Sequence, residues 1–116
     1  MTPQLIGNPK SRAVRACERY CRERGLEYQT RDPGEKPLGP RELDALLSAV
    51  GDPQDLIDTE SRPYRDRGLA WQDFDPREEL LEDARLLVQP IVRTDRGVAI
   101  RPDTAELDRL FGRSAG

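Results

Sequence analysis

The sequence predicts an α/β fold in which a mixed sheet is laid down as β-α-β and then β-β-α, with a block of helices between the two halves. Three observations carry this prediction. The first thirty residues read as strand, helix, strand, and residues 90–111 read as strand, strand, helix. Between them, residues 39–88 show apolar positions at helical spacing, punctuated by Pro and Gly. The 116 residues, 1–116, make one domain's worth of chain, and the tail at 112–116 is expected to fray.

Each element has its own signal. Gln4-Leu5-Ile6 is a short apolar run stopped by Gly7, so it reads as a buried strand. After the Asn8-Pro9 turn, Ser11 is placed to cap a helix that ends at Gly25, with Val14, Cys17 and Cys21 on its inner face. Leu26, Tyr28 and Thr30 alternate as a second strand, and a βαβ unit implies parallel pairing. Residues 31–39 form a Pro- and Gly-containing loop. Pro40 opens a helix lined by Leu43, Leu46, Leu47 and Val50; Asp52-Pro53 starts another with Leu56 and Ile57 inward; a short piece spans Ser61 to Gly68. Asp75-Pro76 then opens a helix expected to carry Leu80, Leu81, Ala84 and Leu87 on one face. Pro90-Ile91-Val92 starts a strand, Thr94-Asp95-Arg96-Gly97 turns it, and Val98-Ala99-Ile100 returns antiparallel. Asp103 and Glu106 have the spacing of a capping box for a last helix that buries Leu107, Leu110 and Phe111.

Composition narrows the chemistry. The chain has no histidine, which removes histidine-activated nucleophiles, histidine bases and histidine-ligated metals. With two cysteines and no Asp/Glu cluster at ligand spacing, no metal site is expected. The N-terminus lacks the pattern of a signal peptide and no apolar run is long enough to span a bilayer, so the expected location is the cytoplasm, with no membrane partner. The net charge is −3, yet 17 of the 19 basic residues are Arg. Coding bias explains that choice; a nucleic-acid surface would call for a net basic domain. Lys10, Arg12, Arg15, Arg19, Arg22 and Arg24 are concentrated on one stretch, and an i,i+4 pair between Glu18 and Arg22 would make it a solvated helix face.

Asn8-Pro9, Arg15, Gly25, Asp55-Leu56, Gln89-Pro90-Ile91-Val92 and Arg101-Pro102, in this order and spacing, resemble the arsenate reductase ArsC / Spx / YffB family. The resemblance runs from about Gln4 to Phe111 and implies a thioredoxin-like fold with a helical insertion. It also implies that a cysteine two residues after the loop proline is the nucleophile; that position here is Ser11. The second cysteine of Spx-like members falls at Val14. Of the three arginines that hold the oxyanion in family reductases, only Arg101 matches. The others fall near Asp58 and at Gln89. Pro90 is implied to be a cis proline.

The candidate site therefore has no catalytic residue. It is an anion-binding loop of Asn8, Ser11, Arg12, Arg15 and Arg101, at a helix N-terminus that can attract negative charge. The plainer alternatives are a simple helix cap for Ser11 and solvated arginines. Cys17 and Cys21, four apart on a helix, have Cβ atoms about 5–6 Å apart, beyond the about 3.5–4.5 Å of a disulfide, and read as buried structural thiols. Tyr64, Phe74 and Trp71 read as a satellite core beneath a loop, with a binding patch as the alternative. Two functions follow. One is a non-catalytic domain that binds a small anion or a protein partner, RNA polymerase being the partner that the Spx resemblance implies. The other is a thiol oxidoreductase in which external glutathione, held by Ser11, Arg12 and Arg101, supplies the thiol.

Overall fold

The computed structural model describes residues 1–113; the tail expected at 112–116 lies outside them from Ser114 onward. In chain order the elements are β1 (Gln4–Ile6), α1 (Arg12–Glu23), β2 (Gln29–Arg31), α2 (Pro40–Val50), α3 (Arg62–Asp66), α4 (Pro76–Glu82), β3 (Ile91–Thr94), β4 (Gly97–Ile100) and α5 (Thr104–Leu110). Short 3-10 turns occupy Pro53–Leu56, Leu69–Trp71 and Ala84–Leu86. The chain forms two compact units, a sheet unit of residues 1–32 with the chain from Gln89 onward, and a helical unit, Pro33–Val88.

In the sheet unit the strand order is β2-β1-β3-β4, with β1 parallel to β2 and antiparallel to β3, and β3 antiparallel to β4. This is the mixed α/β sheet that the element order predicts. Register sets Leu5 opposite Val92 and Val92 opposite Ala99. With the two-residue period of strands, one face then presents a continuous apolar row. Cys17, Tyr20 and Cys21 of α1 and Leu107 and Leu110 of α5 complete that core. Burying a large aliphatic side chain of this kind is worth about 1.5–3 kcal/mol. Tyr20 also fastens α1 to α5: its hydroxyl donates to Asp108, its ring lies 5.9 Å from that of Phe111, and the Arg24 guanidinium sits 3.8 Å over it. The buried Thr94 hydroxyl donates to the Leu110 carbonyl at 2.8 Å and accepts from Arg96 N–H at 3.0 Å, which joins the hairpin to the end of α5.

Two sequence readings of this unit need adjustment. The second strand is Gln29–Arg31, so Leu26 and Tyr28 are half-buried lead-in residues packed on the core. Glu18 and Arg22 form no ion pair among the described residues; Glu18 is half-buried while Arg22 faces solvent.

Proline shapes the helical unit, opening α2 and α4 and occupying the first turn of α3, where a missing N–H costs nothing. Leu43 and Leu46 of α2, Leu56, Ile57, Leu69, Leu80, Leu86 and Leu87 are buried. An antiparallel bridge pairs Ile57 with Leu87, reinforced by Asp58 N–H to Leu86 carbonyl at 2.7 Å and Val88 N–H to Leu56 carbonyl at 2.9 Å. The helix expected to run through Leu87 breaks at Asp83. There the backbone is extended, and the Asp83 carboxylate accepts Arg85 N–H at 3.0 Å, capping a new turn in place of continuing the old one. The aromatic reading is also corrected. Tyr64 and Phe74 meet edge to face at 6.4 Å, but Trp71 is 92% exposed and belongs to no satellite core. Trp71 ends a tight 3-10 turn in which Leu69 is the buried residue.

Candidate functional site

The loop between β1 and α1 is held by its own turn and by bonds to Arg31 and Gln89. Gly7 N–H donates to the Arg31 carbonyl at 2.9 Å, and the Asn8 carboxamide oxygen accepts Lys10 N–H at 2.9 Å, an Asx turn. The Asn8 carbonyl accepts Ser11 N–H at 2.9 Å. Ser11 is the N-cap of α1, its hydroxyl accepting from Val14 N–H at 3.5 Å. Gly7 is needed for closeness: a Cβ there would meet Val14 Cγ2 at 2.5 Å and Gln89 Oε1 at 3.3 Å.

Gln89 links this loop to the far end of the sheet. Its side-chain oxygen accepts Asn8 N–H at 2.6 Å, and its main-chain carbonyl accepts Arg101 Nε–H at 3.2 Å. The Gln89–Pro90 peptide is cis, and the Pro90 carbonyl accepts Arg101 N–H at 2.8 Å. Arg101 is held there at φ +47, a conformation that side-chain-bearing residues rarely adopt. Asn8 and Arg101 are thus brought together through Gln89. Of the other predicted residues, Arg15 turns its Nε–H to the Pro9 carbonyl at 3.1 Å, and Arg12 is exposed on α1.

A pocket of about 420 Å³ opens beside Pro90. Ala13 and Ala16 of α1 leave the room, Cys17 and Leu107 form its floor, and Gln89, Arg101 and Thr104 lie on its lining. Arg101 is the one residue of the predicted anion set that reaches it; Asn8, Ser11, Arg12 and Arg15 do not line it. Sequence reading passes over Ala13, Ala16, Thr104 and the supporting role of Gln89. Alanines on an exposed helix face look inert, and Gln89 reads as a missing arginine when its carboxamide is in fact the latch of the loop.

Both cysteines are free and buried. Burial, and then the charge of Glu18, pushes the Cys17 thiol up from its ordinary range. Burial is also the main reason the Cys21 thiol rises to about 11; Cys17 and Glu18 add to the effect and Arg24 opposes it. At neutral pH neither is a thiolate, and the thiolate is the reactive form.

The fold of this chain matches solved structures of known proteins. An ArsC family related protein from Bacteroides fragilis superposes at a TM-score of 0.83 with 19% identity, covering 95% of this chain and 98% of that one. An arsenate reductase from Vibrio cholerae gives 0.79 with 16% identity over 98% of each chain. An arsenate reductase (ArsC) related protein from Brucella melitensis gives 0.68 with 17% identity, over 96% of this chain and 95% of that one. The chain has the ArsC fold. No family model matches the sequence, and no curated protein matches it. At these identities the likeness is one of fold, the thioredoxin-like sheet with a helical block between its halves. Among the described residues of this ArsC-fold chain, no helix is long and apolar enough to cross a membrane.

Proposed function

We propose that this chain is an ArsC/Spx-like domain that does not reduce arsenate and acts by binding a small anion or a protein partner. One observation carries the reading. The position that the family resemblance assigns to the nucleophile holds Ser11, whose hydroxyl is engaged as the α1 cap, while both thiols face the core. A serine hydroxyl needs a base to attack, and the chain has no histidine to provide one. Arg101, held at the rim of the pocket by Gln89 and Pro90, is the cation best placed to meet an anion. RNA polymerase is the first partner to try, on the Spx resemblance.

The purified chain is expected to show no arsenate reduction and no turnover of a glutathione mixed disulfide. Activity that disappears in Cys17→Ala/Cys21→Ala would overturn the non-catalytic reading. Ser11→Cys supplies a second check on the loop. A thiol at this helix N-terminus should titrate below the free-cysteine value of about 8.5; a value at or above it removes the loop from the anion-binding reading.

The pocket favours a second reading, in which bound glutathione brings its own thiol. Its volume lies within the roughly 300–1,000 Å³ usual for small-molecule sites, and its floor reaches Cys17. Saturable glutathione binding that Arg101→Ala weakens, together with thiol-transfer turnover, would favour that reading over the first.

A further inference from the structure

The arginines on the outward face of α1 do not line the pocket, although Arg15 Nε–H also bonds the Pro9 carbonyl of the loop at 3.1 Å. Arg12, Arg15, Arg19 and Arg22 are all exposed, and steps of three and four residues set them on one stripe. At about 1.5 Å of rise per residue the stripe is roughly 15 Å long, and Lys10 extends it beyond the helix start. Like charges at this spacing repel. In the helical unit several arginines pair with carboxylates: Arg67 with Glu79, Arg77 with Asp44 at 2.7 Å and Arg85 with Asp83 at 2.8 Å. On α1, among the described residues, none of the four arginines has an ion-pair partner, and the expected Glu18–Arg22 pair does not form.

Charge is also divided between the units. The sheet unit carries twelve Lys and Arg against eight Asp and Glu, whereas the helical unit carries seven against fourteen. The overall −3 therefore conceals a basic sheet unit, in which α1 sets four arginines against Glu18 and Glu23. We propose that this face docks an acidic segment of a partner protein, a helix with Glu or Asp at every third and fourth position. The proposal rests on the binding reading above and names the chemistry of its protein partner. A nucleic acid fits less well. The aromatic residue of α1, Tyr20, is buried and offers no base a stacking surface, and the chain as a whole is acidic.

The test uses the full chain and a labelled, end-blocked helical peptide with glutamates at i, i+3, i+7 and i+10 in an alanine and glutamine background. Its controls are a scrambled isomer of the same composition and an oligodeoxythymidine. Fluorescence anisotropy should show binding that weakens with added salt. Changing Arg12, Arg15, Arg19 and Arg22 together to Gln should weaken it roughly tenfold or more, with an unchanged circular dichroism spectrum. Arg62→Gln with Arg65→Gln, on the helical unit, should leave it unaltered. Should the quadruple variant fold poorly, Arg15→Glu with Arg19→Glu offers a charge swap that a lysine version of the peptide should rescue. Equal binding of the scrambled isomer, tighter binding of the oligonucleotide, or no binding of the ordered peptide each overturns the proposal. If that happens while phosphate still binds in an Arg101-dependent way, the small-anion reading survives alone.

Discussion

Arg101 sits at φ +47, where a residue with a Cβ pays about 1–2 kcal/mol. Its N–H bond to Pro90 and its Nε–H bond to Gln89 hold it there. Arg101→Gly relieves the strain and removes the bond to the Gln89 carbonyl, two effects of opposite sign. Its unfolding free energy, read from urea denaturation, should stay within about 1–2 kcal/mol of the parent, while phosphate affinity falls. Unchanged phosphate affinity would take Arg101 out of the site. The thiols give a pH prediction. Burial pushes the Cys21 thiol up to about 11, above its ordinary range, and raises Cys17 as well. Because the folded pKa is the higher one, their contribution to stability is fully present below the unfolded pKa and is lost as pH rises toward the folded value. Thermal unfolding between pH 8 and 11 should therefore show a falling Tm. Substituting both cysteines with Ala should flatten that decline at some cost to overall stability.

Among the elements, the start of α1 shows how little a cap has to do with catalysis. Ser11 satisfies Val14 N–H and orients the first turn, which any reading of the site requires. Ser11→Ala should cost about 0.5–1 kcal/mol, since the bond is long at 3.5 Å. Ser11→Asp should recover stability by keeping a cap, while repelling any anion that the loop holds; denaturation and phosphate titration on the two variants separate the roles. Asp83 does comparable work at the break after α4, capping Arg85 N–H and pairing with the Arg85 guanidinium, whose hydrogen bonds hold its carboxyl below the usual range. A lowered folded pKa means stability present above the ordinary carboxylate value and lost as pH falls through the folded one. Asp83→Asn should keep the cap yet remove this part of the acid sensitivity, read as a smaller fall in Tm below pH 4.

At the scale of the whole molecule, charge is the property least visible in the totals. A chain of net −3 with a basic sheet unit should adhere to both anion and cation exchangers at low ionic strength near pH 7, and salt should release it from each. Glutamine at the four α1 arginines should abolish retention on the cation exchanger only. Retention that persists would place the basic patch elsewhere.

Much of the fold was legible because local signals and the sheet agree. Ser11, Gly25 and the Asp103–Glu106 box mark helix ends by local backbone chemistry, and the apolar runs Ile91-Val92 and Val98-Ala99-Ile100 mark the last two strands. The break at Asp83 was not legible, since helical spacing continues through Ala84 and Leu87 and the side-chain cap that competes with it leaves no periodic trace. The Ser11 loop follows the same division. A serine cap in the loop, the lack of any histidine to activate it, and two thiols on the inner face of α1 are all readable from residue order. What supports the loop emerges on folding alone: Gln89, 81 residues away, latching Asn8 and holding Arg101 at a pocket cleared by Ala13 and Ala16. Hydrogen bonds between residues so far apart depend on how the strands pair, and no local propensity encodes that pairing.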